Sequence, residues 1–215
     1  MLGIQDLSFI KRIGKGLSEN SALIIRHGDR QSGVDLDERL LMLTPEGIDR
    51  SLHLGRSLST GTMPSIFSSP RMRCIETGKR IAEGMEKEID VTESNMLGEH
   101  GPFVFDHIIA GESFSTLGTE EVVRGQILGQ GYPGVRSLED GSWNLLRYVC
   151  DKVEDCGNVV MISHDAILMP FISFFTGYGF DGEITWLNPL DGVIVEFNDG
   201  FAEFSFGNIR RSIRL

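Results

Sequence analysis

Three short apolar runs, each stopped abruptly by polar residues, limit what this chain can fold into. Residues 21–25 (SALII), 65–68 (SIFS) and 159–162 (VVMI) are too short for helices. Without the alternation of a half-wet strand, they read as strands buried on both faces, the signature of a parallel sheet. Helical spacings fill the intervals. Thr44 offers an N-cap ahead of Pro45, and Ile48, Leu52, Gly55 and Leu58 follow along one face. Ile75, Gly78, Ala82 and Met85 repeat the pattern, as do Leu145, Leu146 and Val149 within 143–153. An apolar helix should then run to Phe175, with Pro170 bending it or marking its start. Short strands alternating with helices predict an α/β fold, with a mostly parallel central sheet and helices on both faces.

The remaining segments are weaker signals. The N-terminal stretch fits a short amphipathic helix, residues 89–91 an edge strand, and residues 193–206, turning at Asn198-Asp199-Gly200, a β-hairpin. Residues 98–141 are Gly-rich without clear period and read as an insertion or lid over a site. No linker divides the 215 residues, so a single domain spanning 1–215 is expected.

Twenty Lys and Arg against 31 Asp and Glu give a net charge of −11, which repels nucleic acid and anionic lipid. A phosphate-bearing partner must therefore meet a local cluster of arginines. Cys74, Cys150 and Cys156 form no CxxC pair, and no His stands at zinc-finger spacing. A reducing compartment follows, and with neither a signal-peptide pattern at the N-terminus nor an 18-residue apolar run, a cytoplasmic protein is expected, without membrane or nucleic-acid partners.

All three buried strands end in chemistry: Arg26-His27-Gly28, then Ser68-Ser69-Pro70 ahead of Arg73, then His164-Asp165. Parallel strands deliver their carboxyl ends to one edge, where ligands bind. A phosphoryl group there meets guanidinium forks that hold its oxygens without ever losing their protons. A neutral imidazole can then attack phosphorus, a second imidazole can stabilise the oxygens, and a carboxylic acid can protonate the leaving alkoxide. Taken singly, each residue has a plainer reading. A His at a strand end is usually structural, Arg30 fits a solvated loop, Asp165 fits a helix N-cap, and Glu99 is an ordinary loop acid. Arg71 and Arg73 sit two apart, on different faces of a helix; spacing from Ser69 favours Arg73 as the ligand and leaves Arg71 as a surface or rim charge. His53, His100 and His107 lack metal-ligand company.

In combination, the motifs resemble the histidine phosphatases, the phosphoglycerate mutase-like superfamily. The matching segments, in order, are Arg26-His27-Gly28 after a strand, Leu43-Thr44-Pro45-Glu46-Gly47 opening a helix, Ser68-Ser69-Pro70-Arg71-Met72-Arg73 with Thr77 four residues on, and Ser163-His164 after a late strand. The resemblance implies a phosphoglycerate mutase-like sheet, His27 as nucleophile, Arg26 and Arg73 as phosphate ligands, and His164 as the second pocket histidine. Arg30 and Asp165 are similar to one branch, where that Arg holds phosphate and that Asp donates the proton. The LTPEG and SSP segments are similar to another, whose acid lies earlier, at the position of Glu99 in Leu97-Gly98-Glu99. Asp165 is preferred and Glu99 stays open. The expected activity is hydrolysis of a small phosphomonoester through a phosphohistidine, without metal or organic cofactor. The alternatives are a phosphomutase, disfavoured because Arg124 and Arg136 are outnumbered by acids in 98–141, and a non-catalytic phospho-ligand module. The oligomeric state and the role of the basic C-terminus, Arg210, Arg211 and Arg214, are left open.

Overall fold

A computed structural model of the chain describes residues 17–32, 37–59, 62–99 and 101–215. The expected N-terminal helix and His100 lie outside these residues. Strands β1 (Ser21–Arg26), β2 (Ser65–Ser68), β3 (Val91–Glu93), β4 (Val159–Ser163), β5 (Gly192–Asn198), β6 (Phe201–Phe206) and β7 (Ile209–Arg214) form one sheet. Its order is β3-β2-β4-β1-β5-β6-β7. The first four strands run parallel, with Arg26 level with Ser163 and Ser68 level with Ile162. β5 lies antiparallel beside β1, and the β5–β6 hairpin continues antiparallel into β7.

The burial of β1 follows from its central position. Ala22 and Ile24 point to one face and Leu23 and Ile25 to the other, all fully buried. The first pair joins Met161, Val193 and Val195 under helices α5 (Leu138–Cys156) and α6 (Asp165–Thr176). The second joins Ile66, Val160 and Ile162 under α1 (Pro45–Leu58) and α2 (Met72–Gly84). Helices thus cover both faces, as the alternation of segments predicts.

Thr44 caps α1 as expected, its Oγ1 accepting the Gly47 N–H at 3.1 Å. The buried face, however, is Gly47, Ser51, Leu54, Gly55 and Leu58 rather than the row from Ile48 and Leu52. Close packing chose the smaller residues: a Cβ on Gly55 would fall 2.2 Å from the Ile81 carbonyl oxygen, and one on Gly84 2.2 Å from that of Leu52. Backbone meets backbone where α1 crosses α2, which larger side chains would prevent.

The segment read as lacking a period contains two helices, α3 (His107–Leu117) and α4 (Thr119–Ile127). Asp106 caps α3, accepting the N–H groups of Ile108 and Ile109. The helical period of α3 was hidden because it leaves Ile108, Ile109 and Leu117 exposed and buries only Ala110. β3 begins two residues later than expected, α5 begins at Leu138, and α6 runs from Asp165 through Pro170. β7 went unanticipated. Its Arg210, Arg211 and Arg214 line the outermost strand, where charge discourages edge-to-edge pairing with other chains. Among the described residues, no helix is long and apolar enough to cross a membrane.

Candidate active site

The carboxyl ends of β1, β2 and β4 open into a cavity of about 600 Å³. His27, on the first residue beyond β1, extends the ladder by donating its backbone N–H to the Ser163 carbonyl at 3.1 Å. Thr77 fixes the next residue: its Oγ1 accepts the Gly28 N–H at 3.0 Å and donates to the Arg73 carbonyl at 2.7 Å. One hydroxyl on α2 therefore ties the histidine loop to the arginine turn.

Partners assign the tautomer of His27. Nδ1 lies 2.8 Å from the Gly28 carbonyl, to which it must donate, and Nε2 accepts from Arg73 Nε at 3.0 Å. The lone pair of Nε2 thus faces the cavity side of the ring. Burial lowers the His27 pKa to about 4, opposed by the Gly28 hydrogen bond and assisted by the charges of Arg73 and Arg26. The ring is neutral at neutral pH.

His164 stands edge-on to His27, the ring centroids 5.4 Å apart. Its Nε2 lies 2.8 Å from Ser69 Oγ and its Nδ1 3.3 Å from Arg73 Nη2, so Nδ1 accepts from the guanidinium and Nε2 carries the proton. Burial, then the neighbouring His27 and Arg73, keep its pKa well below the usual value. The Cys74 sulfur lies 3.7 Å from the same ring, and burial pushes its thiol up to about 12, which leaves it a neutral packing group.

Four arginines, Arg26, Arg30, Arg71 and Arg73, line this end of the cavity. Arg26 pairs with Asp165 at 2.8 Å and donates to the Leu187 carbonyl. Arg73 donates to the Glu38 carbonyl at 2.7 Å, and Arg30 lies 3.7 Å from the Glu38 carboxylate. Arg71 pairs with Glu99. The surface placement considered for Arg71 does not hold. It is the extended residue that caps α2 rather than a residue within it, so the argument from helix faces does not apply, and its side chain turns inward at 12% exposure. Arg71 Nη1 and Arg26 Nε are buried without a hydrogen-bond partner among the described residues, donors that suit an anion.

Both candidate acids line the cavity. Asp165 is the first residue of α6 and not its cap, a position His164 takes. Its Oδ2 accepts from Arg26 and from Trp186 Nε1 at 2.9 Å, and its Oδ1 accepts the Ala166 N–H at 2.9 Å. Glu99 is 64% exposed, with Arg71 as its ion-pair partner. Trp186 was missed at the sequence level. Reading strands only for their carboxyl ends overlooks antiparallel β5, whose amino end reaches the same edge and brings residues 186–191 with it.

The cavity also has apolar lining: Phe103, Ala110, Phe114 and Val123 come from residues 98–141 and Ile167 from α6, with His107, Thr119, Glu120 and Gln126 of the same segment beside them. Among the described residues no three His, Cys, Asp or Glu side chains gather as they would around a metal ion.

The model of the histidine phosphatase superfamily (branch 1) matches residues 22–103. No curated protein matches the sequence as a relative. Solved structures do match in fold. A mycobacterial glucosyl-3-phosphoglycerate phosphatase is 14% identical with a TM-score of 0.56, over 83% of this chain and 90% of that one. A candidate α-ribazole-5′-P phosphatase from Escherichia coli is 15% identical with a TM-score of 0.58, over 86% and 94%. A phosphoglycerate mutase from Bacillus anthracis is 13% identical with a TM-score of 0.55, over 94% of each chain. The family match runs from β1 to Phe103, and over more than four-fifths of its length the chain is similar in fold to these solved structures.

Proposed function

We propose that the protein hydrolyses a small phosphomonoester through a phosphohistidine formed on His27. One observation carries this reading: a neutral imidazole, its Nδ1–H held by the Gly28 carbonyl, aims a lone pair from Nε2 among four guanidinium groups. The dianionic phosphoryl group displaces the Arg73 Nε contact and takes the guanidinium donors. Nε2 attacks phosphorus, the ester P–O bond breaks, and the departing alkoxide takes a proton from a carboxylic acid. That group, now a carboxylate, takes a proton from water as the water oxygen attacks phosphorus and the P–N bond breaks. The arginines stabilise the charge on the equatorial oxygens in both steps. His164 is neutral beside the unliganded arginines, and a bound dianion favours its protonated form, in which it too donates to those oxygens.

The donors on Asp165 support Glu99 as the acid, against the preference drawn from sequence. Both Asp165 oxygens already accept hydrogen bonds, which suits a fixed carboxylate that orients Arg26. Glu99 is released from Arg71 once phosphate takes that guanidinium. A mutase would have to grip a second anion, and no Lys or Arg beyond the four joins the described residues lining the cavity. Phosphate release from p-nitrophenyl phosphate tests the reading. His27→Ala should lose at least 10³-fold in turnover. Brief incubation with labelled substrate should yield an acid-labile, base-stable phosphoenzyme only in the parent protein. Because guanidinium groups supply the positive charge, turnover should survive a chelator, and recovery with added Mg²⁺ or Zn²⁺ after a loss would overturn that part.

A further inference from the structure

The cavity is divided, and the division selects a substrate. Its inner end gathers all four arginines, and its outer wall is built from Phe103, Ala110, Phe114, Val123, Ile167 and Trp186. No Lys or Arg from residues 98–141 joins them, and His107, Thr119 and Gln126 line the same cavity. Arg124 is turned to Glu120, at 2.7 Å, and to the Ile184 carbonyl, at 3.1 Å, and lies over the Trp186 ring. The charges near the outer wall are acidic: Glu99 and Glu120 line it, in a protein of net charge −11. A second phosphate or a carboxylate on the substrate body would find no guanidinium or ammonium group there, only the side chains of His107, Thr119 and Gln126, and would face like charge. An apolar or aromatic body would displace water from side chains that cannot hydrogen-bond to it.

We infer that the substrate is a phosphomonoester with one anionic head and an uncharged, largely apolar or aromatic body, rather than a phosphorylated acid or a bisphosphate. The inference rests on the phosphatase reading for its head group, while the choice of body rests on the outer wall alone. A cavity of about 600 Å³ exceeds what a phosphoryl group needs and matches a head with one or two rings attached.

Phosphonates, which do not turn over, separate binding from catalysis. Calorimetry on the full chain would compare 2-naphthylmethylphosphonate, methylphosphonate and 3-phosphonopropionate. The naphthyl compound should bind at least tenfold more tightly than methylphosphonate, and phosphonopropionate no more tightly than methylphosphonate. Phe114 is only half-buried, so Phe114→Ala should fold, and it should cut the naphthyl-to-methyl ratio about fivefold. Because a ratio is read, partial loss of folded protein does not imitate the effect. Equal affinities, tighter binding of phosphonopropionate, an unchanged ratio in Phe114→Ala, or no binding of any of the three would overturn the inference. If the predicted ranking holds and no phosphate is released from p-nitrophenyl phosphate, the inference stands and the phosphatase reading falls.

Discussion

Acid should destabilise this protein through His27 in a way that can be calculated and isolated. The folded-state pKa is about 4 against an ordinary 6.5, with burial as the main cause. A depressed histidine pKa means that, between these values, the unfolded chain binds a proton that the native state refuses. Stability from this residue is therefore unaffected above pH 6.5, falls as pH drops through that value, and levels off below about 4. At pH 4.5 the unfolded ring is almost wholly protonated and the native ring only partly so. The linkage integral gives a loss of roughly 2.5 kcal/mol relative to pH 7.5. Urea unfolding at both pH values, on the parent and on His27→Gln, measures it. Other groups titrate too, but subtracting the variant cancels most of them, so the parent should lose roughly 2 kcal/mol more than His27→Gln. An NMR titration of the His27 ring should show no midpoint between pH 5 and 8. A midpoint near 6.5, or equal acid losses in both proteins, would refute the buried neutral ring and remove the basis for Nε2 as a ready nucleophile.

Glu99→Gln should slow hydrolysis of an alkyl phosphate about 10²- to 10⁴-fold and of p-nitrophenyl phosphate far less, because a good leaving group needs no proton. Asp165→Asn should slow both alike, and the reverse pattern would make Asp165 the acid. Thr77→Val, which strands the Gly28 N–H, should cost about 1–2 kcal/mol in urea unfolding and lower kcat more than KM, whereas Thr77→Ser should restore both. Gly55→Ala should cost about 2 kcal/mol or more, since its Cβ would meet the Ile81 carbonyl at 2.2 Å; an unchanged urea midpoint would show that α1 can withdraw freely from α2.

Legibility in the sequence tracked how local the signal was. β1, β2 and β4 announced themselves through apolar runs, and Thr44-Pro45 marked the start of α1 within one turn. His27, Arg73 and His164 were findable because each follows a buried strand within a few residues, and the structure brings the three within hydrogen-bond reach. What failed depended on contacts distant in sequence. The face α1 buries was decided by the backbone of α2, and α3 showed no period because it leaves apolar residues in water. The inward turn of Arg71 reflects a capping residue's extended backbone, and Trp186 arrives on the segment leading into β5, the antiparallel strand paired with β1. Each of these is set by tertiary pairing rather than by spacing.

The two ends of the cavity also have unequal genetic addresses. Residues that hold the head group are scattered from Arg26 to Asp165 on several strand ends, so no single exchange of sequence moves them together. Much of the wall facing the body lies in one uninterrupted stretch, residues 103–135, entering and leaving the fold near the isolated bridge between Val104 and Val135. A replacement cassette joined at that bridge would change what the protein accepts while leaving β1, β2 and β4 untouched. Specificity can thus drift, or be engineered, within one stretch of sequence, provided that Phe103, Val123 and Ile127, which pack into the core with Ile24 and Met161, are kept.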